Sequence, residues 1–383
     1  MQKSLFVLPD SEITVCMQKS IKEGVPVLTL NQVTRRYGHT TAIDALDFVV
    51  PDDTYISLLG ASGSGKTTLL RLIAGFEEPD AGTILLDEHH LDGRPPHQRG
   101  IGFVFQNFAL FPHLTVEQNV AYGLKYRQTG AVSDPKEIRD RTATALSLVG
   151  LDGLGHRGVA EISGGQRQRV ALARTLVTEP RIVLLDEPLG ALDANLRGRM
   201  CDELRAIRER LKVSFLHVTG SETEALTMGD KVAVLSQGKI IQSASARTLF
   251  ERPANAAAAR HLNAWNLLSG KVEQDMLKTP AGTVPMPSAL RDGVSAQIAI
   301  RFDQIDVSPL SEVPAGQHHI SARYLTGEFN GPTALSFFRT ADGTLLQVVE
   351  HFSDARLPSL IEGQTYALHY EPNAALVFEG AAQ

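Results

Sequence analysis

From Val27 the apolar positions fall into strand-like runs: Val27-Leu28-Thr29-Leu30, then residues 45–50, then Tyr55-Ile56-Ser57-Leu58-Leu59. The last is a short continuous apolar run, the pattern of a strand buried on both faces. A glycine-rich stretch follows it, and a mostly apolar helical segment over residues 67–75 comes next. Gly82-Thr83-Ile84-Leu85-Leu86-Asp87 reads as a strand, Pro95-Pro96-His97 as a loop, and residues 101–105 as another short apolar strand. Residues 107–160 then change to a helical period. Asp134-Pro135-Lys136-Glu137 supplies an N-cap acid, a proline at the first helical position and a glutamate at the third. Ile138, Ala145, Leu146 and Val149 share one face, and Gly150 closes the helix. Arg181-Ile182-Val183-Leu184-Leu185-Asp186-Glu187-Pro188 predicts a buried strand ending in two acids. A long amphipathic helix follows, turning Leu196, Met200, Leu204, Ile207 and Leu211 inward, and a strand covers residues 213–219.

Past Pro253 the texture changes. Residues 254–262 are alanine-rich and helical, and short strands then alternate with turns: residues 296–301, 334–338, 345–349 and 365–369, with Asp342-Gly343 as a hairpin turn. At the other end, residues 1–26 show no period. Met-Gln-Lys-Ser occurs at 1–4 and again at 17–20, too short for a structural repeat, so this stretch reads as a poorly ordered extension.

A length of 383 residues allows two to three domains. A net charge of −6 argues against nucleic-acid binding driven by bulk charge. No apolar run is long enough to cross a bilayer, so a membrane role requires a partner. Cys16 and Cys201 cannot build a disulfide framework, which fits a reducing cytosol.

The chemistry concentrates in four places. Gly60-Ala61-Ser62-Gly63-Ser64-Gly65-Lys66-Thr67, between a strand and a helix, is a phosphate cradle. Its glycines let backbone N–H groups converge on an anion, Lys66 reaches the β- and γ-phosphates, and the Thr67 hydroxyl suits Mg²⁺. Tyr37 could stack on a base or simply sit at the core edge; Gln106, at a strand end, could face a metal or be an ordinary loop residue. Ser163-Gly164-Gly165-Gln166 at a helix start offers bare N–H groups and a hydroxyl to an anion. In the acid pair, Asp186 would hold Mg²⁺ through water and Glu187 would polarise the attacking water. The apolar run Phe108-Ala109-Leu110-Phe111-Pro112 is either a contact surface or a loop tucked against its own domain.

Taken in this order and spacing, the phosphate loop, Gln106, the Ser-Gly-Gly-Gln segment, the Leu-Leu-Asp-Glu-Pro strand and Ala191-Leu192-Asp193 resemble an ATP-binding cassette ATPase. The resemblance implies an α/β, RecA-like P-loop core with an antiparallel β patch and a helical subdomain near 107–165. Domains are expected at 27–255 for the nucleotide-binding part and 256–383 for a C-terminal OB-type β-barrel that regulates transport or helps dimerise. It implies that Tyr37 stacks on adenine, that Gln106 senses the γ-phosphate and Mg²⁺, and that Lys66, Thr67, Thr68 and Asp186 serve phosphates and metal. Glu187 becomes the catalytic carboxylate. Ser163, Gly165 and Gln166 act in trans on the ATP of a second, identical subunit, with Asp193 at the seam. Phe111-Pro112-His113-Leu114-Thr115-Val116 resembles the segment with which importer ATPases meet their permeases. Glu224-Ala225-Leu226-Thr227-Met228, Glu251-Arg252-Pro253 and Asn266-Leu267-Leu268 resemble the spermidine/putrescine type most closely, with ferric-iron, phosphonate and sugar importers as near relatives. The implied partners are permease subunits and a periplasmic or extracellular solute-binding protein, with no nucleic acid, and the implied place is the cytoplasmic face of the cell membrane.

One position departs from the pattern. The family normally carries a histidine after the 213–219 strand, to bond the γ-phosphate and order the water; here Gly220 stands there, followed by Ser221. His217 lies three residues earlier and, on a strand, points to the opposite face. The departure predicts slow hydrolysis with ATP binding less affected.

Overall fold

The computed structural model describes residues 26–126, 130–190, 194–287, 290–314, 317–351 and 360–380, with backbone alone for 194–196. The extension read at 1–26, apart from Pro26, lies outside the described residues, as do Ala191-Leu192-Asp193 and the Leu196 side chain. By packing, the chain divides into one unit through Arg247 and a second from Thr248.

In the first unit, β1 (Pro26–Tyr37) and β2 (Thr40–Pro51) form an antiparallel pair, joined through β1 to β4 (Ala81–Leu86) and then to β5 (His89–His90). β1 and β2 run longer than their apolar patterns suggest, because register irregularities at residues 30–36 break the period-two alternation without ending the pairing. The central sheet has the order β10-β9-β3-β8-β7-β6. Here β3 is Tyr55–Leu59, β6 Ile101–Val104, β7 Ile182–Asp186, β8 Ser214–Thr219, β9 Lys231–Ser236 and β10 Lys239–Ala244. All but β10 are parallel to their neighbours. Every residue of β3 and β8 is buried, as a parallel strand covered on both faces requires.

One face is covered by α1 (Lys66–Ala74) and the β1–β2–β4 patch, with Leu28, Leu30, Leu69, Leu72 and Leu184 in a shared core. The other is covered by α2 (Val116–Tyr126), α3 (Pro135–Leu148), α4 (Gly164–Leu176) and α5 (Ala194–Leu211). In α3, Asp134 caps the helix by accepting from Lys136 N–H, and Ile138, Ala145 and Leu146 are buried. In α5, Met200, Leu204 and Ile207 are buried, and Leu211 packs against the same cluster. α6 (Glu222–Met228) follows β8, and α7 (Ala246–Glu251) spans the division between units.

The second unit opens with α8 (Ala256–His261) and builds two five-stranded antiparallel sheets around one core. One has the order β13-β12-β11-β14-β20, with β11 Trp265–Glu273, β12 Met276–Thr279, β13 Gly282–Pro285, β14 Ser295–Arg301 and β20 Leu376–Glu379. The other is β15-β19-β16-β17-β18, with β15 Asp306–Pro309, β16 Ile320–Phe329, β17 Thr333–Thr340, β18 Leu345–His351 and β19 Thr365–His369. Gly343, at φ +91°, makes the expected turn between β17 and β18. No helix among the described residues is long and apolar enough to cross a membrane.

Candidate functional site

Ligands of open α/β sheets bind beyond the carboxyl ends of the strands. Strand register aligns these ends: Leu59 pairs with Thr219, Val218 with Asp186, and Leu185 with Val104. The phosphate loop, the Thr219-Gly220 turn, Asp186-Glu187 and Gln106 therefore leave the sheet along one edge.

The phosphate loop is held open by close backbone approach. A Cβ on Gly60 would lie 2.5 Å from the Leu235 carbonyl oxygen, and one on Gly65 2.5 Å from that of Ala42. Gly65 also takes φ +105° as the residue before α1, a value that disfavours any side chain. α1 has no side-chain cap at its start, so its first N–H groups remain available to an anion. Ala61, Ser62 and Gly63 are exposed at the mouth, and Thr68 is half-buried in the first turn. Ser64 is buried beneath the loop, and its hydroxyl has no hydrogen-bond partner. Lys66, only 7% exposed, donates from Nζ to the Gly60 and Ala61 carbonyls at 2.7 and 2.9 Å. Burial lowers its pKa, while the Glu187 and Asp186 carboxylates oppose the shift.

Across the loop, Thr67 Oγ1 lies 3.5 Å from Asp186 Oδ1, and Gln106 Nε2 lies 3.4 Å from Glu187 Oε2. Burial raises the Asp186 pKa and the neighbouring Glu187 charge raises it further. Two half-buried carboxylates, a hydroxyl and an amide oxygen form a hard-oxygen donor set, which suits Mg²⁺ held by few protein ligands plus substrate phosphates. The uncapped helix start, with Gly60 and Gly65 where a Cβ would strike backbone, fits the phosphates of a nucleotide. Glu187 sits at φ +43°, with its N–H held by the Val218 carbonyl at 3.0 Å.

Tyr37 ends β1 on the rim, 44% exposed, with its hydroxyl bonded to Glu77 and the Arg35 guanidinium 5.0 Å from its ring centre. Ser163, Gly165 and Gln166 open α4 with a capping box that occupies the N–H groups of Ser163 and Gln166 and leaves those of Gly164 and Gly165 without a side-chain cap. Ser163 N–H donates to Gln166 Oε1 at 2.8 Å, and Gln166 N–H donates to Ser163 Oγ at 3.3 Å. Each side chain caps the other residue's backbone N–H, because serine and glutamine three apart close a reciprocal box. Gly165 is buried, while Ser163 is exposed.

His217 is fully buried between β3 and β7, edge-on to Tyr55 at 6.0 Å. Burial depresses its pKa to about 3, so the imidazole is neutral. It is a core histidine beneath the site. Gly220 is exposed, and a Cβ there would meet nothing within 4 Å.

The apolar run after Gln106 divides in two. Phe108 and Leu110 pack on the domain's own core, so they are not an exposed surface. Arg174 donates to the Ala109 and Phe108 carbonyls at 2.6 and 2.8 Å, and Asn119 accepts from Phe111 N–H at 2.9 Å. The Phe111 ring joins Tyr122 at 4.5 Å, and Tyr122 joins the exposed Tyr126 at 4.7 Å. These tyrosines, Asn119 and Arg174 were missed in the sequence reading. The four-residue spacing of Tyr122 and Tyr126 on a helix was the available signal.

Comparison with known proteins matches residues 43–190 to the family described as ABC transporter. The spermidine/putrescine import ATP-binding protein PotA of Rubrobacter xylanophilus is 38% identical, over 95% of this chain and 97% of its own. The Fe(3+) ions import ATP-binding protein FbpC of Brucella abortus is 41% identical, over 74% of this chain and 80% of its own. Among solved structures, a dimeric ATP-binding cassette in a post-hydrolysis state bound to ADP and Pi is 29% identical with a TM-score of 0.51, covering 57% of this chain and 99% of that one. CbiO1 of Clostridium perfringens, part of an ABC transporter complex, is 27% identical with a TM-score of 0.55, covering 62% of this chain and 94% of that one. With a phosphate loop, an acid pair and a glutamine on one sheet edge, and relatives matched over nearly the whole chain, this protein belongs to the ABC transporter family as an ATPase whose hydrolysis of ATP is coupled to transport.

Proposed function

We propose that the chain is the ATP-binding subunit of an importer for a small cationic solute of the polyamine class. It would work as a homodimer on the cytoplasmic face of the membrane, with permease subunits and a solute-binding protein. The observation that carries the ATP chemistry is the convergence of Lys66, Thr67, Asp186, Gln106 and Glu187 at the carboxyl ends of β3, β6 and β7. Lys66 and the loop N–H groups bind the phosphates; Thr67, Thr68, Asp186 and Gln106 orient the γ-phosphate end; Glu187 takes a proton from the attacking water. Mg²⁺, when bound, neutralises charge on the β- and γ-phosphates. Tyr37 stacks on the adenine, and the Ser163-Gly165-Gln166 turn closes over the ATP of the second subunit. The Phe111–Tyr122–Tyr126 row is the permease contact. The second unit, read as an OB-type barrel, regulates transport or aids dimerisation.

The polyamine reading is supported by four PotA relatives at 36–42% identity. The ferric-iron reading is favoured by the FbpC relatives at 37–41%. Co-purification with the permease and solute-binding protein decides between them: spermidine should stimulate ATP hydrolysis and Fe³⁺ should not. In the same complex, Phe111→Asp should weaken permease association and uncouple hydrolysis from uptake. Unchanged co-purification and uptake would show that the ring is internal packing.

A further inference from the structure

Beneath the turn that carries Gly220 lies a buried polar cluster that the roles above leave unused. Glu224, on α6, is 4% exposed. Its Oε2 accepts from the Thr219 hydroxyl at 2.7 Å, and its Oε1 is ion-paired with Arg197 Nε at 3.3 Å. Thr219 Oγ1 in turn accepts from Ser221 N–H at 2.9 Å, and Ser221 Oγ accepts from Glu224 N–H at 3.3 Å. The neutral His217 ring lies 3.8 Å from Oε2 and is not an ion pair.

These bonds close the turn through Thr219, Ser221 and Glu224, and none runs through a side chain at residue 220. Glycine has more backbone freedom to lose than any other residue, so the order of this turn rests on its neighbours. That order matters one residue earlier, where the Val218 carbonyl holds the Glu187 N–H. Glu187 keeps a left-handed backbone that a non-glycine residue adopts only where its surroundings impose it. Arg197 brings α5, the helix that follows Glu187 in the chain, to the same carboxylate. A buried acid is costly to keep without such partners.

We infer that Glu224 is a positioning residue for ATP hydrolysis: one buried carboxylate ties the Gly220 turn to α5 and so holds Glu187 in its orientation toward the γ-phosphate. The inference deepens the proposed function and rests on Glu187 as the carboxylate that activates water.

The test uses the full-length chain and the variants Glu224→Gln, Thr219→Val, their double variant and Glu187→Gln. Calorimetric titration with MgATP counts competent sites and gives affinity; phosphate release per competent site gives kcat and KM. Glu224→Gln should lower kcat at least about tenfold, the scale of one lost charge-assisted bond. KM and affinity should stay within about twofold. Thr219→Val should fall in the same direction, and the double variant should lose less than the product of the two, because both act through one contact. Fewer competent sites with kcat per site unchanged would mean a purely structural residue and overturn the inference. So would an affinity loss that accounts for the whole rate loss. If Glu224→Gln yields no competent sites, Thr219→Val decides alone. Slow Glu187→Gln beside unchanged Glu224→Gln and Thr219→Val sinks only the role of Glu224, whereas brisk Glu187→Gln sinks the reading of Glu187 itself.

Discussion

Two glycine-bearing turns open helices in the first unit, and they differ in how many backbone N–H groups their own side chains occupy. The loop before α1 has no side-chain cap, bends through Gly63 at φ +80° and Gly65 at +105°, and presses its backbone against Ala42 and Leu235. The turn before α4 is capped by its own Ser163 and Gln166, and Gly164 and Gly165 lie in ordinary helix. An uncapped helix start leaves several donors for a ligand within the same chain. A self-capped start has fewer free donors, and of its four residues Ser163 alone is exposed. The first arrangement suits gripping phosphates; the second leaves Ser163 exposed for the trans contact proposed above.

Four experiments press on this contrast. Lys66→Ala removes the cation from the uncapped loop and should weaken MgATP binding by roughly 10²–10⁴-fold, the loss of two charge-assisted bonds. Calorimetry that finds wild-type affinity would end the assignment of the loop. Gly220→His asks whether binding and hydrolysis are separately built. The position has room for a side chain, and the added imidazole should raise steady-state phosphate release by up to about 10²-fold. ATP affinity should change little, since the contact acts in the transition state. The unaltered protein should then show slow turnover and ATP-bound dimers by light scattering. A brisk wild-type rate that the histidine fails to increase would remove the expectation of slow hydrolysis drawn from Gly220.

Gly65→Ala and Gly164→Ala compare the backbones directly. The first sets a Cβ 2.5 Å from a carbonyl oxygen at a left-handed φ and should cost about 1–3 kcal/mol in urea unfolding. The second lies in helix and should be neutral or stabilising by up to about 1 kcal/mol. Equal losses would erase the distinction. Ser163→Ala should cost about 1 kcal/mol from the lost cap. It should also weaken ATP-driven dimerisation measured by sedimentation; if dimerisation is untouched, the exposed turn has another use.

The sequence by itself determined the parts built from contiguous residues. The phosphate loop, the Asp134-capped helix and the Asp186-Glu187 strand end were legible because cap, glycine and apolar period act within a few residues of each other. The packing of Phe108 and Leu110, the burial of His217 and the Thr219–Glu224–Arg197 cluster were decided only by tertiary structure. Each depends on which strand lies beside which: His217 is neutral because β3 and β7 enclose it, and Glu187 is held because Val218 of β8 offers its carbonyl to that N–H. Local pattern carries no record of such pairing. The second unit shows the same limit in β20, which has no alternation of its own and gains its place by pairing with β14, far earlier in the chain.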